Sequence, residues 1–295
     1  MDRQAPGMEP ILLVLAAGLG LRYGGLKQLE KFGPLRRTLL QYSLQTALHH
    51  GYARAVCTVL EKNVAAMEEL LRPLRTHMSI ELAIQNLADG PASIPPGREK
   101  PWGTAHAVYA ARHLLPSPFT IVNADDCYGE EAWEAMANVR SRCGSGAALV
   151  AYRLEKTLSP NGPVSRGVCQ LAGGRLASIR EFHKICRDGL GNIVDGPTGT
   201  VFSGNEPVSM NFWHLPPLFL RFLEKDGVKF FSHTAELAAG EWALPDAVGR
   251  WMAATGTPVL GLVTESPWCG VTHPEDRIWV EGFLHRPLTG DGGEL

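Results

Sequence analysis

The sequence contains no CxxC pair, no HxxxH or HExxH grouping, and no apolar run longer than Ile11 to Ala17. Zinc-finger and zinc-hydrolase chemistry is therefore not indicated. Its six cysteines are scattered over 295 residues and form no disulfide framework, so free thiols in a reducing compartment are the expectation. The Ile11–Ala17 run is far too short to cross a bilayer. Met1 to Pro10 shows no basic stretch followed by an apolar one, and no secretory signal is read there. An excess of one charge is also missing. The formal net charge is -2, so no overall field draws the chain to nucleic acid or to a membrane. A cytoplasmic location is expected. What remains, 45% hydrophobic and 20% charged residues, is the profile of an ordinary globular protein.

Ile11-Leu12-Leu13-Val14-Leu15 is apolar on both faces, which suits a buried parallel strand. Helical spacing follows over Thr38 to His50, a strand over Ala55 to Leu60, a helix over Val64 to Leu74 and a strand over Ile80 to Ile84. Asn86 to Trp102 is rich in proline and glycine and reads as a long loop, a kind that is usually functional or disordered. A helix over Thr104 to Leu114 and a strand over Phe119 to Val122 come next. This alternation predicts an α/β fold: a Rossmann-like, mostly parallel sheet with helices on both faces. Beyond Ala147 the texture changes to short β runs (Ala148 to Arg153, Gly167 to Leu171, Leu176 to Ile179), an inserted mixed β region. Helices are predicted over Leu215 to Glu224 and over Glu236 to Ala254, the second interrupted by Pro245, and a strand over Val259 to Val263. No repeat and no linker divides residues 1–295, which read as a single domain.

The most informative segment runs from Leu15 to Gln28. A buried strand delivers Ala16, Ala17, Gly18 and Gly20, small residues that let backbone N–H groups approach an anion closely. Arg22 and Lys27 add fixed positive charge, one as a fork and one as a point charge. A triphosphate needs that combination, because phosphoryl-transfer catalysis is chiefly positioning and charge stabilisation. A Walker A loop fails on spacing, since Gly20 to Lys27 is one residue too long and Gln28 offers no hydroxyl for a metal. A dinucleotide fingerprint fails because Tyr23 stands at its third glycine. Further on, Asn123-Ala124-Asp125-Asp126 closes a predicted strand. Ligands of open α/β sheets bind at such carboxyl ends, and carboxylate oxygens favour magnesium.

The L-A-A-G-x-G-x-R pattern of Leu15 to Arg22, followed by Lys27, resembles the signature of the sugar-phosphate nucleotidyltransferases, such as the glucose-1-phosphate thymidylyl- and uridylyltransferases. The resemblance extends from Ile11 to about Thr272 and implies the nucleotide-diphospho-sugar transferase fold. It also implies a nucleotide-binding half (11–145) and an acceptor-binding half (146–285). By it, Arg22 and Lys27 contact the triphosphate held by the loop, and Asp125 is the magnesium ligand. Arg22, Lys27 and Asp125 are thus the catalytic set, and Asp126 supports the metal or the ribose. Gln85 at a strand end and Gly103-Thr104 at a helix start read the base. Arg166, Gly167, Glu181, Lys184 and Asn211 hold the acceptor, with Glu181 on sugar hydroxyls and Lys184 on its phosphate. Two departures stand out. The loop is shorter than usual before its lysine, and no aspartate follows Trp268, where the family usually places a second metal ligand.

The expected partners are a nucleoside triphosphate (dTTP, UTP or CTP) and a sugar 1-phosphate. The reaction expected is transfer of the nucleotidyl group with release of pyrophosphate and Mg2+ as cofactor. A phosphate monoester is already an anionic nucleophile, so no general base is required. Two alternatives stay open: a cytidylyltransferase acting on a non-sugar phosphate or phosphonate, and a non-catalytic nucleotide-binding regulatory subunit. A glycosyltransferase would want an Asp-x-Asp motif, which Asp125-Asp126-Cys127 does not provide. His106, within the helix that Gly103 opens, reads as structural. Oligomeric state is not legible.

Overall fold

The computed structural model describes residues 10–18, 30–90, 94–143, 146–232, 240–271 and 275–284. Its strands are β1 (Ile11–Leu15), β2 (Arg54–Val59), β3 (Ser79–Ile84), β4 (Phe119–Asn123), β5 (Asp126–Cys127), β6 (Ala147–Arg153), β7 (Val164–Ala172), β8 (Arg175–Arg187), β9 (Ile193–Asp195), β10 (Val201–Phe202), β11 (Pro207–Leu215), β12 (Val259–Val263) and β13 (Cys269–Gly270). Its helices are α1 (Leu39–His49), α2 (Val64–Leu71), α3 (Thr104–Ala110), α4 (Glu130–Cys143), α5 (Leu218–Ser232), α6 (Leu244–Thr255) and α7 (Asp276–Leu284).

The main sheet runs β3-β2-β1-β4-β11-β6-β12-β8-β9-β10, with β7 pairing both β8 and β11. β3, β2, β1 and β4 are parallel neighbours, as are β6 and β12. β11 enters antiparallel between β4 and β6, and β7 to β10 form the antiparallel insertion. The alternation of side chains along β1 explains why every residue in it is apolar. Leu12 and Val14 belong to one core with Leu44 of α1, Met67 of α2 and Trp133 of α4. Ile11, Leu13 and Leu15 belong to a second core with Val108 of α3, Leu223 of α5 and Trp251 of α6. Helices therefore cover both faces, and each fully buried large side chain contributes about 1.5–3 kcal/mol.

Local chemistry fixes several boundaries. α1 opens with a capping box in which Thr38 Oγ1 accepts from Gln41 N–H and Gln41 Oε1 accepts from Thr38 N–H. α6 closes at Gly256, whose φ of 66° is the left-handed cap that glycine supplies freely. Three expectations are corrected. Leu215 is the last residue of β11, and α5 starts only at Leu218, because Pro216 and Pro217 cannot donate to the sheet ladder or continue it. α5 then runs on through Asp226-Gly227, held there by tertiary contacts. Asp226 takes a bidentate contact from Arg250 and a 2.7 Å bond from Trp242 Nε1, and a Cβ on Gly227 would lie 2.8 Å from the Trp242 ring. Pro245 does not interrupt α6 but occupies its first turn, where a missing N–H costs nothing. Helix α4 carries little net hydrophobicity, and the sequence pattern does not predict it. Among the described residues no helix is long and apolar enough to cross a membrane.

Candidate active site

β3, β2, β1 and β4 end along one edge of the parallel sheet, and Ala16, Ala17, Gln85 and Asp125 stand just past those ends. β1 passes into Ala16, whose N–H donates to Thr58 O at 3.0 Å, while Leu15 O accepts from Ala124 N–H at 3.1 Å. Ala16 and Ala17 are buried and Gly18 is exposed. The rest of that loop, including Gly20, Arg22 and Lys27, lies outside the described residues.

Gln85 follows β3 directly and is buried. Its Nε2 donates to Gly103 O at 3.1 Å and meets His106 Nδ1 at 2.9 Å. Gly103 caps α3 with a φ of 111°, and a Cβ there would come within 2.7 Å of Glu241 and of Trp242 O. Only glycine fits. The segment before α6 is laced onto this turn, since Ala105 N–H donates to Trp242 O and Thr104 Oγ1 accepts from Leu244 N–H at 2.8 Å.

Asp125 is half-buried at the end of β4. Asp126 is buried, and its Oδ2 accepts from Asn123 Nδ2 at 2.7 Å. β5 pairs Asp126 with Gly270 and Cys127 with Cys269 of β13, and Val271 N–H donates to Asp125 O at 3.2 Å. The stretch after Trp268 thus reaches the two aspartates although it brings no carboxylate. At Gly270 a Cβ would stand 2.5 Å from Asp126 Oδ1 and 2.6 Å from the Trp268 ring, so no side chain is accommodated. Among the described residues no group of three or more His, Cys, Asp or Glu side chains could hold a metal by itself. Asp125 suits a hard cation that keeps waters and takes its other oxygens from phosphates, the usual habit of magnesium.

Beside the end of β4 opens a cleft of about 180 Å³. Thr104, Asn123, Arg166, Glu181, Ser209 and Asn211 line it, with His183 and Glu241 at further positions. Asn211 sits in a bulge of β11 between Ser209 and Trp213 and has a φ of 60°, a left-handed conformation that asparagine tolerates better than most residues. Its Nδ2 donates to Asn123 Oδ1 at 3.1 Å. Its Oδ1 is fully enclosed and has no partner among the described residues, and the same holds for Glu181 Oε2. Burial, reinforced by the Asp246 charge and opposed by Arg166, pushes the Glu181 carboxyl up to about 8. Gly167 stands opposite Glu181 in the β7–β8 ladder, and a Cβ there would meet Pro245 at 2.9 Å and Glu181 Oε2 at 3.2 Å.

Arg166 is buried with its Nε on Thr157 Oγ1 (3.0 Å), Nη1 on Ser165 O (2.7 Å) and Nη2 on Thr157 O. Burial lowers its guanidinium to about 10, so it stays charged at neutral pH. Three of its five N–H donors are used in this way, leaving two for an anion in the cleft. Lys184 is placed elsewhere. It is exposed, in a bulge of β8 where His183 and Lys184 face the single residue Ser165, and it does not line the cleft. The structure therefore brings Thr104, Arg166, Glu181 and Asn211 together and leaves Lys184 outside. Asn123, His183, Ser209 and Glu241 are additions. Asn123 stands in the motif that ends β4, whereas nothing in the sequence marks Glu241.

No protein-family model matches the chain, and no curated protein matches it in sequence. Solved structures do match. The inositol-1-phosphate CTP transferase from T. maritima has a TM-score of 0.67 at 14% identity, over 98% of this chain and 99% of the other. A Bacillus anthracis structure described as a glucose-1-phosphate thymidylyltransferase in complex with a sucrose gives 0.67 at 10% identity, over 96% and 98%. A UDP-glucose pyrophosphorylase complexed with UDP-glucose gives 0.61 at 16% identity, over 95% and 99%. At such identities the likeness establishes the fold, and it is the α/β fold expected from the sequence.

Proposed function

We propose that this chain, which shares its fold with nucleotidyltransferases of sugar and polyol phosphates, is itself a magnesium-dependent nucleotidyltransferase. It joins a pyrimidine nucleoside triphosphate to the phosphate of a polyhydroxylated small molecule, a sugar 1-phosphate in the first instance, and releases pyrophosphate. The observation that carries this reading is the pair of enclosed oxygens without partners, Glu181 Oε2 and Asn211 Oδ1, in a cleft lined by Asn123 at the end of β4. Buried polar atoms without partners cost free energy until a ligand pairs with them, and ring hydroxyls can both donate and accept. The described lining carries no Trp, Tyr or Phe, which favours hydroxyls over a quaternary ammonium group held in an aromatic cage.

In this reading residues 11–145 bind the nucleotide and 146–285 the acceptor, within one domain. The glycine loop with Arg22 and Lys27 holds the triphosphate, and Gln85 meets the base. Glu181 and Asn211 hold hydroxyls, while Arg166 offers its two remaining donors to the acceptor's phosphate. An oxygen of that phosphate forms a bond to the α-phosphorus as the bond to the β-phosphate oxygen breaks, and the electron pair leaves with pyrophosphate. Two anions must approach each other, so the residues' main task is orientation and counter-charge. Asp125 would hold Mg2+, which when bound neutralises phosphate charge. Pyrophosphate release should be measured with magnesium, common triphosphates, and a panel of sugar 1-phosphates, cyclic polyol phosphates, phosphocholine and simple phosphonates. Release that depends on one hydroxylated acceptor is the expected result. Release with phosphocholine or a phosphonate alone, or nucleotide binding without any turnover, would overturn the acceptor assignment or the enzymatic one.

A further inference from the structure

We infer that His106 is a positioning residue that fixes the Gln85 amide so that it meets a nucleobase as a hydrogen-bond acceptor only. The inference rests on the proposed placement of the base at Gln85, but the geometry behind it is local. His106 is fully buried in α3, and its Nε2 lies 2.6 Å from Asp89 O. A backbone carbonyl can only accept, so Nε2 carries the proton. In a neutral imidazole the other nitrogen is then a lone-pair acceptor. That nitrogen, Nδ1, lies 2.9 Å from Gln85 Nε2, which must donate to it. The second partner of Gln85 Nε2 is Gly103 O at 3.1 Å, again an acceptor only. Both amide hydrogens are thereby committed inside the protein. Gln85 Oε1 has no hydrogen-bond partner among the described residues.

The amide orientation follows from the chain of partners, because turning it by 180° would set Oε1 against two acceptors. The neutral imidazole is maintained by its surroundings. Burial holds His106 below the ordinary histidine range, with Arg98 and Arg112 acting in the same direction and Asp89 opposing. Tyr109, Phe231 and Trp242 supply the rings packed around it. Asp89 belongs to the Pro- and Gly-rich loop after β3, so that loop sets the tautomer of a histidine that in turn sets the glutamine. A base read at this point must present an N–H, such as the imide N–H of uracil or thymine or the exocyclic amine of cytosine.

The test is equilibrium binding, without acceptor, of UTP against 3-methyl-UTP and of CTP against N4,N4-dimethyl-CTP, on wild-type protein and on His106→Phe. For whichever base binds, the wild type should prefer the unmethylated nucleotide by at least about tenfold, the factor for one buried group left unmet. In His106→Phe one of the two acceptors that hold the amide is gone and only Gly103 O remains, so that preference should fall by at least about threefold. Should this variant fail to fold, long-range 1H–15N spectra of histidine-labelled wild-type protein decide the point, since His106 must appear at neutral pH as the Nε2–H tautomer. A preference undiminished in the variant, or an Nδ1–H or doubly protonated His106, would overturn this inference alone. Absence of any triphosphate binding by the wild type would overturn the functional reading and this inference with it.

Discussion

Replacing Glu181 by glutamine should stabilise the protein in a manner set by pH. The carboxyl is enclosed, lacks a partner at Oε2, and has its proton affinity raised from an ordinary 4.5 to about 8. A folded-state value above the unfolded one means that stability is fully present below 4.5 and is lost as pH rises toward 8. At about 1.4 kcal/mol for each tenfold change in proton affinity, the ceiling on that loss is about 5 kcal/mol. Water entering the cleft relieves part of it, and a gain of about 2 kcal/mol for Glu181→Gln is expected above pH 8. Urea unfolding of both proteins at a series of pH values from 4 to 9 measures this directly. The two stabilities should converge at the acid end and separate progressively above pH 4.5. Titrating groups distant from Glu181 cancel in the difference. A difference that does not vary with pH would refute the burial of an ionisable carboxyl in this cleft.

Three further outcomes are expected. Asp125→Ala and Lys27→Ala should each lower turnover by at least about 100-fold with unchanged denaturation midpoints, and near-full activity in both would remove the catalytic assignment. Gly270→Ala forces a Cβ to within 2.5 Å of Asp126 Oδ1 and should cost about 2 kcal/mol, read as a lower urea midpoint at constant slope. Asn211→Gly keeps the left-handed backbone but removes the amide, so acceptor KM should rise about tenfold while nucleotide KM holds; equal changes in both would place Asn211 outside the acceptor site.

The sequence by itself determined the parallel core and the residues at the edge where its strands end. A strand apolar on both faces, apolar residues at helical spacing, and aspartates at a strand end are local patterns, and β1, α1 and Asp125 stand where those patterns put them. Glycines at 103 and 167 were legible as motif members, and the close approaches they permit came with the fold. Tertiary structure alone decided which of the residues proposed for the acceptor meet. The bulge that turns Asn211 into the cleft depends on β11 pairing at once with β4, β6 and β7, strands that lie far from it in sequence. The bulge in β8 that carries Lys184 away depends likewise on its register with β7. Glu241 reaches the cleft because the segment before α6 is hydrogen-bonded to the start of α3, and Asp226 prolongs α5 through an arginine in another helix. Periodicity and propensity act over a few residues, whereas register, bulges and buried charge pairs arise from partners tens of residues away, which no local pattern encodes.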